Sequence, residues 1–372
     1  MNKKTQIAIL IATLTMQAQS MVDIKPITVK FDDFKTEYPF FRFKEAKRYS
    51  NDECRIGKIS LKNNIPANSV VNLVIPARTK KGYNVVLNQR ACSGLNNENI
   101  KINLFLFKKR KSHQQGYDYV KIVGDKSGFF QGSSSLVLID MRGIDSKNAK
   151  CVKKGWKKHS HRNKYLMTSM FEGCTRVKSI RWGKFNASKV TRMDCLFKDC
   201  KSLENLNLNL LNTSRVRTMR EMLANCYQLK HFDMSLCSVA NVQNMEKMFL
   251  NCYSLSCVNL KNYDMGEVQT MQSMFEGCES IKSITLPFSD IQKLTTMQSM
   301  FQNCQELEKL DFSDVKIPLS TMMADFISGC QNLEMISFYT NMPSEKFVNA
   351  IAGCKDCPRF TATLHNLFIK AD

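Results

Sequence analysis

The chain has 372 residues, with 54 Lys and Arg against 33 Asp and Glu, for a net charge of +21 at pH 7. That length holds two or three units of domain size. Nothing beyond the first twenty residues is expected to cross a bilayer as a helix, since no run is long and apolar enough.

The start reads as a secretory signal peptide, residues 1–20. Lys3 and Lys4 form a basic end, Ile7–Leu14 is a short apolar run, and Ala18, Gln19 and Ser20 offer small residues where cleavage would fall. No cysteine follows that cut, so lipid attachment through an N-terminal cysteine is unsupported. The mature protein is expected to be soluble or held on a surface non-covalently.

Residues 21–128 form a basic, β-rich module. The runs Ser69–Pro76, Tyr83–Leu87 and Ile100–Phe107 are rich in β-branched and aromatic residues and sit between turn signals such as Asn96-Asn97. Either a separate domain or a β-extension of the region that follows would fit.

From residue 129 to 342 the chain repeats. Cys174, Cys200, Cys226, Cys252, Cys278, Cys304 and Cys330 stand 26 residues apart, and such a period marks a repeat architecture. Seven residues before each cysteine is a methionine, Met167 to Met323. Four and three before it come apolar pairs such as Met170-Phe171 and Met274-Phe275. Spacings of three and four place these on one helical face, which predicts a short amphipathic helix of about three turns. After the cysteine the period changes to two, as in Leu206 and Leu208 or Leu310 and Phe312, which predicts a strand with one face buried. The expected fold class is an α/β solenoid with short parallel strands on one face and short helices on the other, preceded by the β-rich module. Phe130, Gln131, Gly132 and Ser133, followed by Leu136, Ile139 and Met141, read as a first repeat with serine in the cysteine slot. A lysine-rich insertion falls near 146–164, and 343–372 reads as a C-terminal cap.

The charge is unevenly spread. Residues 21–164 carry 30 basic and 12 acidic side chains, net +18, whereas 165–342 carry 18 of each. Within the repeats, 165–230 is net +7 and 231–342 net −7. The densest clusters are Lys108, Lys109, Arg110 and Lys111, and Lys153, Lys154, Lys157 and Lys158. These would suit an anionic polymer or an anionic membrane surface. Aromatic residues are scarce among them, and a secretory signal argues against nucleic acid as the biological partner.

The repeat cysteines share one core slot at the end of the methionine phrase, which favours reduced, packed thiols over bridges. Cys354 and Cys357 form a lone CxxC without the further ligands zinc needs. His159, His161 and Cys151 lie in a lysine-rich loop and make a weak metal motif. No nucleophile elbow, zincin motif or phosphate-binding glycine loop occurs, so no catalytic residue and no cofactor is assigned.

The fuller phrase MxxMFxxCxxLxxLxL, with a following TS-x-V seen at Thr213, Ser214 and Val216, resembles the BspA-type leucine-rich-repeat surface proteins, including repeats of mycoplasma lipoproteins. The resemblance covers Met167 to about Phe338. It implies a secreted or cell-surface protein that binds a protein ligand or a host or cell-surface component and has no catalytic role. The reading surface expected from the repeat is the polar residue between the two buried strand positions. This column is Arg181, Asn207, Asp233, Asn259, Thr285, Asp311 and Ser337. The alternative function is polyanion binding through the basic N-terminal module.

Overall fold

The computed structural model describes residues 27–28, 41–44, 47–48, 53–62, 69–75, 84–87, 91–97, 100–106, 120–122, 127–142, 144–145, 167–182, 185, 187–233, 235–258, 260, 263–285, 291–338, 348, 350, 361–364 and 367–370. The signal region, both lysine clusters, Cys151, His159, His161, Cys354 and Cys357 lie outside them. The chain divides into two compact units, 1–164 with 173–186, and 165–172 with 187–372.

In the first unit the chain winds between two sheets. Ile27–Thr28, Ser69–Ile75, Ile100–Leu106, Leu136–Asp140 and Ser179–Arg181 lie side by side in that order, every neighbour parallel. Between them the chain supplies Glu53–Ile56, Asn84–Leu87, Val120–Ile122 and Ile144–Asp145 to a second sheet, again parallel. Each turn of the coil thus gives one strand to each sheet. The strands Ser69–Ile75 and Ile100–Leu106 of the basic module and the strands Leu136–Asp140 and Ser179–Arg181 belong to one sheet. Alternation dictates burial: Ile100, Ile102, Leu104 and Leu106 are fully buried because successive side chains point to opposite faces. Ser133 stands where later repeats have cysteine, and its hydroxyl donates to Cys92 O at 2.7 Å.

In the second unit Asn205–Asn207 pairs with His231–Asp233, and Ser283–Thr285, Lys309–Phe312, Met335–Phe338 and Thr361–Leu364 pair in sequence, all parallel. Leu367–Lys370 turns back antiparallel on the last of these, which occupies the edge that a further parallel strand would otherwise extend.

The predicted helices are corrected. No described residue between 167 and 338 is helical. The methionine phrase is a run of tight turns whose alternate N–H groups leave the repeat. In one copy Met193, Cys195, Phe197 and Asp199 donate to Thr218, Arg220, Met222 and Ala224 of the next repeat at 2.8–3.0 Å, while Leu196, Lys198 and Cys200 donate three residues back. An α-helix needs each N–H to bond four residues back, and the left-handed residues of this segment prevent that. Cys195, Glu221, Lys247, Ser273 and Ser299 have φ of 53–55°. The residue before each repeat cysteine is also left-handed: Gly173, Asp199, Asn225, Asn251, Gly277, Asn303 and Gly329. Two successive turns of this kind bring positions i, i+3, i+4 and i+7 to the same side, so the apolar pattern is the one a helix would show.

The core lies between these ladders. Met193, Met219, Met271, Met297 and their neighbours are buried, as are all seven repeat cysteines. Phe171 stacks on Phe197 at 5.1 Å, Phe249 on Phe275 at 5.2 Å and Phe275 on Phe301 at 5.5 Å. Offset aromatic contacts of this type add about 0.5–1.5 kcal/mol each beyond area burial. The cysteines are free. From Cys200 onward each thiol donates to the carbonyl of the residue 29 positions earlier, as Cys252 Sγ does to Leu223 O at 3.2 Å and Cys330 Sγ to Phe301 O at 3.0 Å, and Cys174 Sγ donates to Phe130 O at 3.2 Å.

Candidate binding face

The strand ladder places one polar residue per repeat between inward positions, which are buried on both sides of Asn207, Asp311 and Ser337. In the second unit Asn207 faces Asp233 in register, and Thr285, Asp311 and Ser337 follow one another. Asn207 and Asp311 are exposed, and Asp233 and Ser337 are half-buried. Thr285 is placed by its backbone alone, and Asn259 lies outside the described residues. In the first unit Arg181 is exposed and stands in register with Asp140.

Asp140 is a column member that the sequence reading passed over. It sits between Ile139 and Met141, the two offsets that identified the first repeat, so the signal was present. Its carboxylate is fully buried and takes Arg142 Nη2 at 2.6 Å and Nε at 3.0 and 3.1 Å, with Arg181 Nη1 at 3.8 Å. A buried carboxylate needs such partners, because desolvation without them costs several kcal/mol.

The column residues also end their strands. Asn209 N donates to Asn207 Oδ1 at 2.9 Å, Ser235 N to Asp233 Oδ1 at 3.0 Å and Ser313 N to Asp311 Oδ1 at 2.9 Å. This is the Asx turn, in which a short side chain substitutes for the backbone acceptor. Asp233 is the most engaged member. Its Oδ2 accepts Asn207 Nδ2 at 3.2 Å and Asn209 Nδ2 at 2.7 Å. The Ser235 backbone N–H, together with the Ser235 and Asn209 side chains, holds its carboxyl below the ordinary value of 3.8. It therefore stays ionised at neutral pH. Beside it two large apolar side chains project into solvent one repeat apart, Leu210 at 69% and Leu236 at 79% exposure.

On the turn ladder the charges are tied to one another. Lys198 Nζ lies 2.5 Å from Glu221 Oε2, and Arg220 bridges Glu221 at 2.7 Å and Glu246 at 3.2 Å. Burial pulls the Glu221 carboxyl up, but the Lys198 hydrogen bond and the charges of Lys198, Arg220 and Lys247 outweigh it and leave the value lowered. Asp194 accepts from Thr218 Oγ1, from Arg220 N and from Arg192 Nε. These networks staple neighbouring repeats. Among the described residues no group of three or more side chains gathers to hold a metal, and no helix is long and apolar enough to cross a membrane.

A parallel ladder of short strands with apolar residues inward at a leucine-rich phrase defines a leucine-rich-repeat protein. Residues 165–288 and 238–341 match the family described as "Mycoplasma protein of unknown function, DUF285". The match falls on the same residues as the repeat phrase, which resembles that of BspA-type leucine-rich-repeat surface proteins. Among solved structures, a leucine rich cell surface protein from Faecalibacterium prausnitzii A2-165 is similar at 14% identity and TM-score 0.34, covering 86% of this chain and 94% of that one. A leucine-rich repeat protein from Bacteroides ovatus ATCC 8483 is similar at 15% identity and TM-score 0.24, covering 82% and 94%. A TLR13–ssRNA13 complex is similar at 12% identity and TM-score 0.28, covering 80% of this chain and 46% of that one. No curated protein matches. The superpositions are loose, and the fold reading rests on the hydrogen-bond pattern above.

Proposed function

We propose that this chain is a secreted or cell-surface leucine-rich-repeat solenoid that binds a protein ligand or a host-surface component in the manner of an adhesin, without catalysis. The observation that carries the reading is the strand column. Asn207, Asp233 and Asp311 present varied polar groups at one per repeat, on strands whose register is set by a packed core. A rigid array with varied side chains suits recognition of another protein. Leu210 and Leu236 add the apolar contact area that a polar column lacks. Arg181, Asn259, Thr285 and Ser337 are the remaining proposed contacts, and residues 1–20 the proposed export signal.

A second reading is favoured by the charge map. The net +18 of residues 21–164 suits an anionic polymer or surface, engaged through Lys108, Lys109, Arg110, Lys111, Lys153, Lys154, Lys157 and Lys158. One experiment separates the two. Labelled full-length protein is incubated with intact cells and with immobilised heparin, over a range of salt. The Asp233→Asn, Asp311→Asn double variant keeps an acceptor for each turn N–H and loses two charges, and its unfolding transition is compared with that of wild type. Loss of cell binding in that variant, with heparin binding unchanged, supports the strand column. If cell binding instead disappears only on replacing the four lysines of 153–158 with Gln, and falls steeply with salt, the basic module is the binder and the column reading is wrong.

A further inference from the structure

We propose that the second unit pairs with another copy of itself, face to face, about a two-fold axis running between the repeats of Cys226 and Cys252. Four successive repeat cysteines, Cys200, Cys226, Cys252 and Cys278, are directly followed by Lys201, Tyr227, Tyr253 and Glu279. Lys201, Tyr227, Tyr253 and Glu279 all lie in the unit formed by 165–172 and 187–372. The backbone holds them in one line: Gln228, Ser254, Ser280 and Glu306 donate in turn to the carbonyls of Lys201, Tyr227, Tyr253 and Glu279 at 3.0–3.2 Å. The side chains are continuous too. Lys201 Nζ lies 5.5 Å from the centre of the Tyr227 ring, and the Tyr227 and Tyr253 rings stack at 4.9 Å. Lys201, Tyr253 and Glu279 are exposed and Tyr227 is half-buried.

Read in one direction the row is cation, ring, ring, anion. Read in the other it is anion, ring, ring, cation. A two-fold axis parallel to the strands and midway between Tyr227 and Tyr253 reverses the order of the repeats while keeping each row opposite itself. Lys201 of one copy then meets Glu279 of the other, and each tyrosine meets the other tyrosine. An isologous interface requires this self-complementarity, in which residue i meets j and j meets i.

A neighbouring row obeys the same symmetry. Three residues further along, Glu204 and Lys282 occupy the same pair of repeats, so Glu204 of one copy meets Lys282 of the other. Lys282 now pairs with Glu308 at 3.2 Å with both side chains well exposed, an arrangement that can exchange partners at little cost. The sign order in this second row is opposite to that of the first. A slide by one repeat separates Lys201 from Glu279 and Glu204 from Lys282, which loses both pairings and with them specificity and affinity. The stacked tyrosines supply the kind of rigid aromatic centre that carries most of the energy in a small interface. The occupant is therefore a second copy of this chain, and the proposal does not rest on the strand-column reading.

The test is sedimentation equilibrium on the full-length chain, wild type and charge-swapped. Wild type is expected to dimerise reversibly, more weakly as salt rises. Lys201→Glu alone and Glu279→Lys alone set like charges together twice per dimer and should each weaken association about 10-fold to 100-fold. The double variant Lys201→Glu, Glu279→Lys restores opposite charges and should recover the dimer. A merely misfolded single variant would gain nothing from the second change, so recovery reads the interface itself. A wild type that stays monomeric at every concentration, or a double variant no better than the singles, overturns the proposal.

Discussion

Each repeat cysteine is preceded by glycine, asparagine or aspartate because the backbone there is left-handed, with φ between 56° and 78° from Gly173 to Gly329. These residue types tolerate that region at least cost. The column has a second rule, set by what the previous repeat places beside it. Asn225 Nδ2 reaches Asp199 Oδ1 at 2.8 Å, and Asn251 Nδ2 reaches Asn225 Oδ1 at 3.0 Å. At the next repeat the Asn251 amide leaves no room, and a Cβ on Gly277 would stand 2.6 Å from Asn251 Oδ1. Gly277→Ala is therefore strained twice, by its φ of 71° and by the contact, and should destabilise by about 2–3 kcal/mol. Adding Asn251→Ala relieves the contact but not the backbone, so chemical denaturation should show the double variant less destabilised than the sum of the two single changes. Strict additivity would show that the two sites do not meet.

At the scale of the element, the methionine phrase decides whether the repeat is helical or a chain of turns. Its apolar spacing is shared by both, and the backbone bonds are not. A glycine substitution distinguishes them. Ser299 has φ of 53° and donates its N–H to Ala324 O of the next repeat at 3.0 Å. In a helix Ser→Gly would cost up to about 1 kcal/mol. In a left-handed position relief of Cβ strain offsets the added freedom of the unfolded chain, so the change should be neutral or stabilise by up to about 1 kcal/mol. Thermal unfolding of Ser299→Gly reads the sign, and a clear drop in melting temperature would contradict the turn assignment.

At the scale of the whole molecule, the stacked thiols make stability depend on alkaline pH. Burial pushes the Cys174, Cys252 and Cys304 thiols from 9.0 up to about 12, and raises Cys226 and Cys278 well above 9.0. In each case the folded value lies above the unfolded one, so the folded chain holds protons that the unfolded chain releases. Their contribution is fully present below the unfolded value of 9.0 and is lost as pH rises toward the folded one. Each thiol then removes up to about 1.4 kcal/mol per pH unit in that window. The melting temperature should be flat in pH just below 9 and fall steeply above it. In parallel, a thiol reagent at neutral pH should label exposed Cys257 in the folded protein and reach the buried seven only on unfolding. Disulfide-linked peptides from neighbouring repeats would refute the free-thiol ladder.

The amino-acid sequence alone carried the repeat, its period, the seven core cysteines and inward strand positions such as Leu206, Leu208, Leu310 and Phe312. All of these follow from local spacing, since a residue's offset within a repeat decides whether it points in or out. The strands at Ser69–Ile75 and Ile100–Leu106 were legible for the same reason. The tertiary structure supplied, through contacts between repeats, what spacing cannot carry. It replaced helix by turns, because the partner of an N–H group such as that of Phe197 is a carbonyl in another repeat, Met222 O. It joined the β-rich region to the first repeat strands, because pairing of Leu136–Asp140 with Ile100–Leu106 depends on hydrogen bonds between segments far apart in the chain. It also revealed that Asp233 and Asp311 are turn acceptors as well as surface groups, and that Tyr227 and Tyr253 stack. Such roles exist only once one repeat lies against the next.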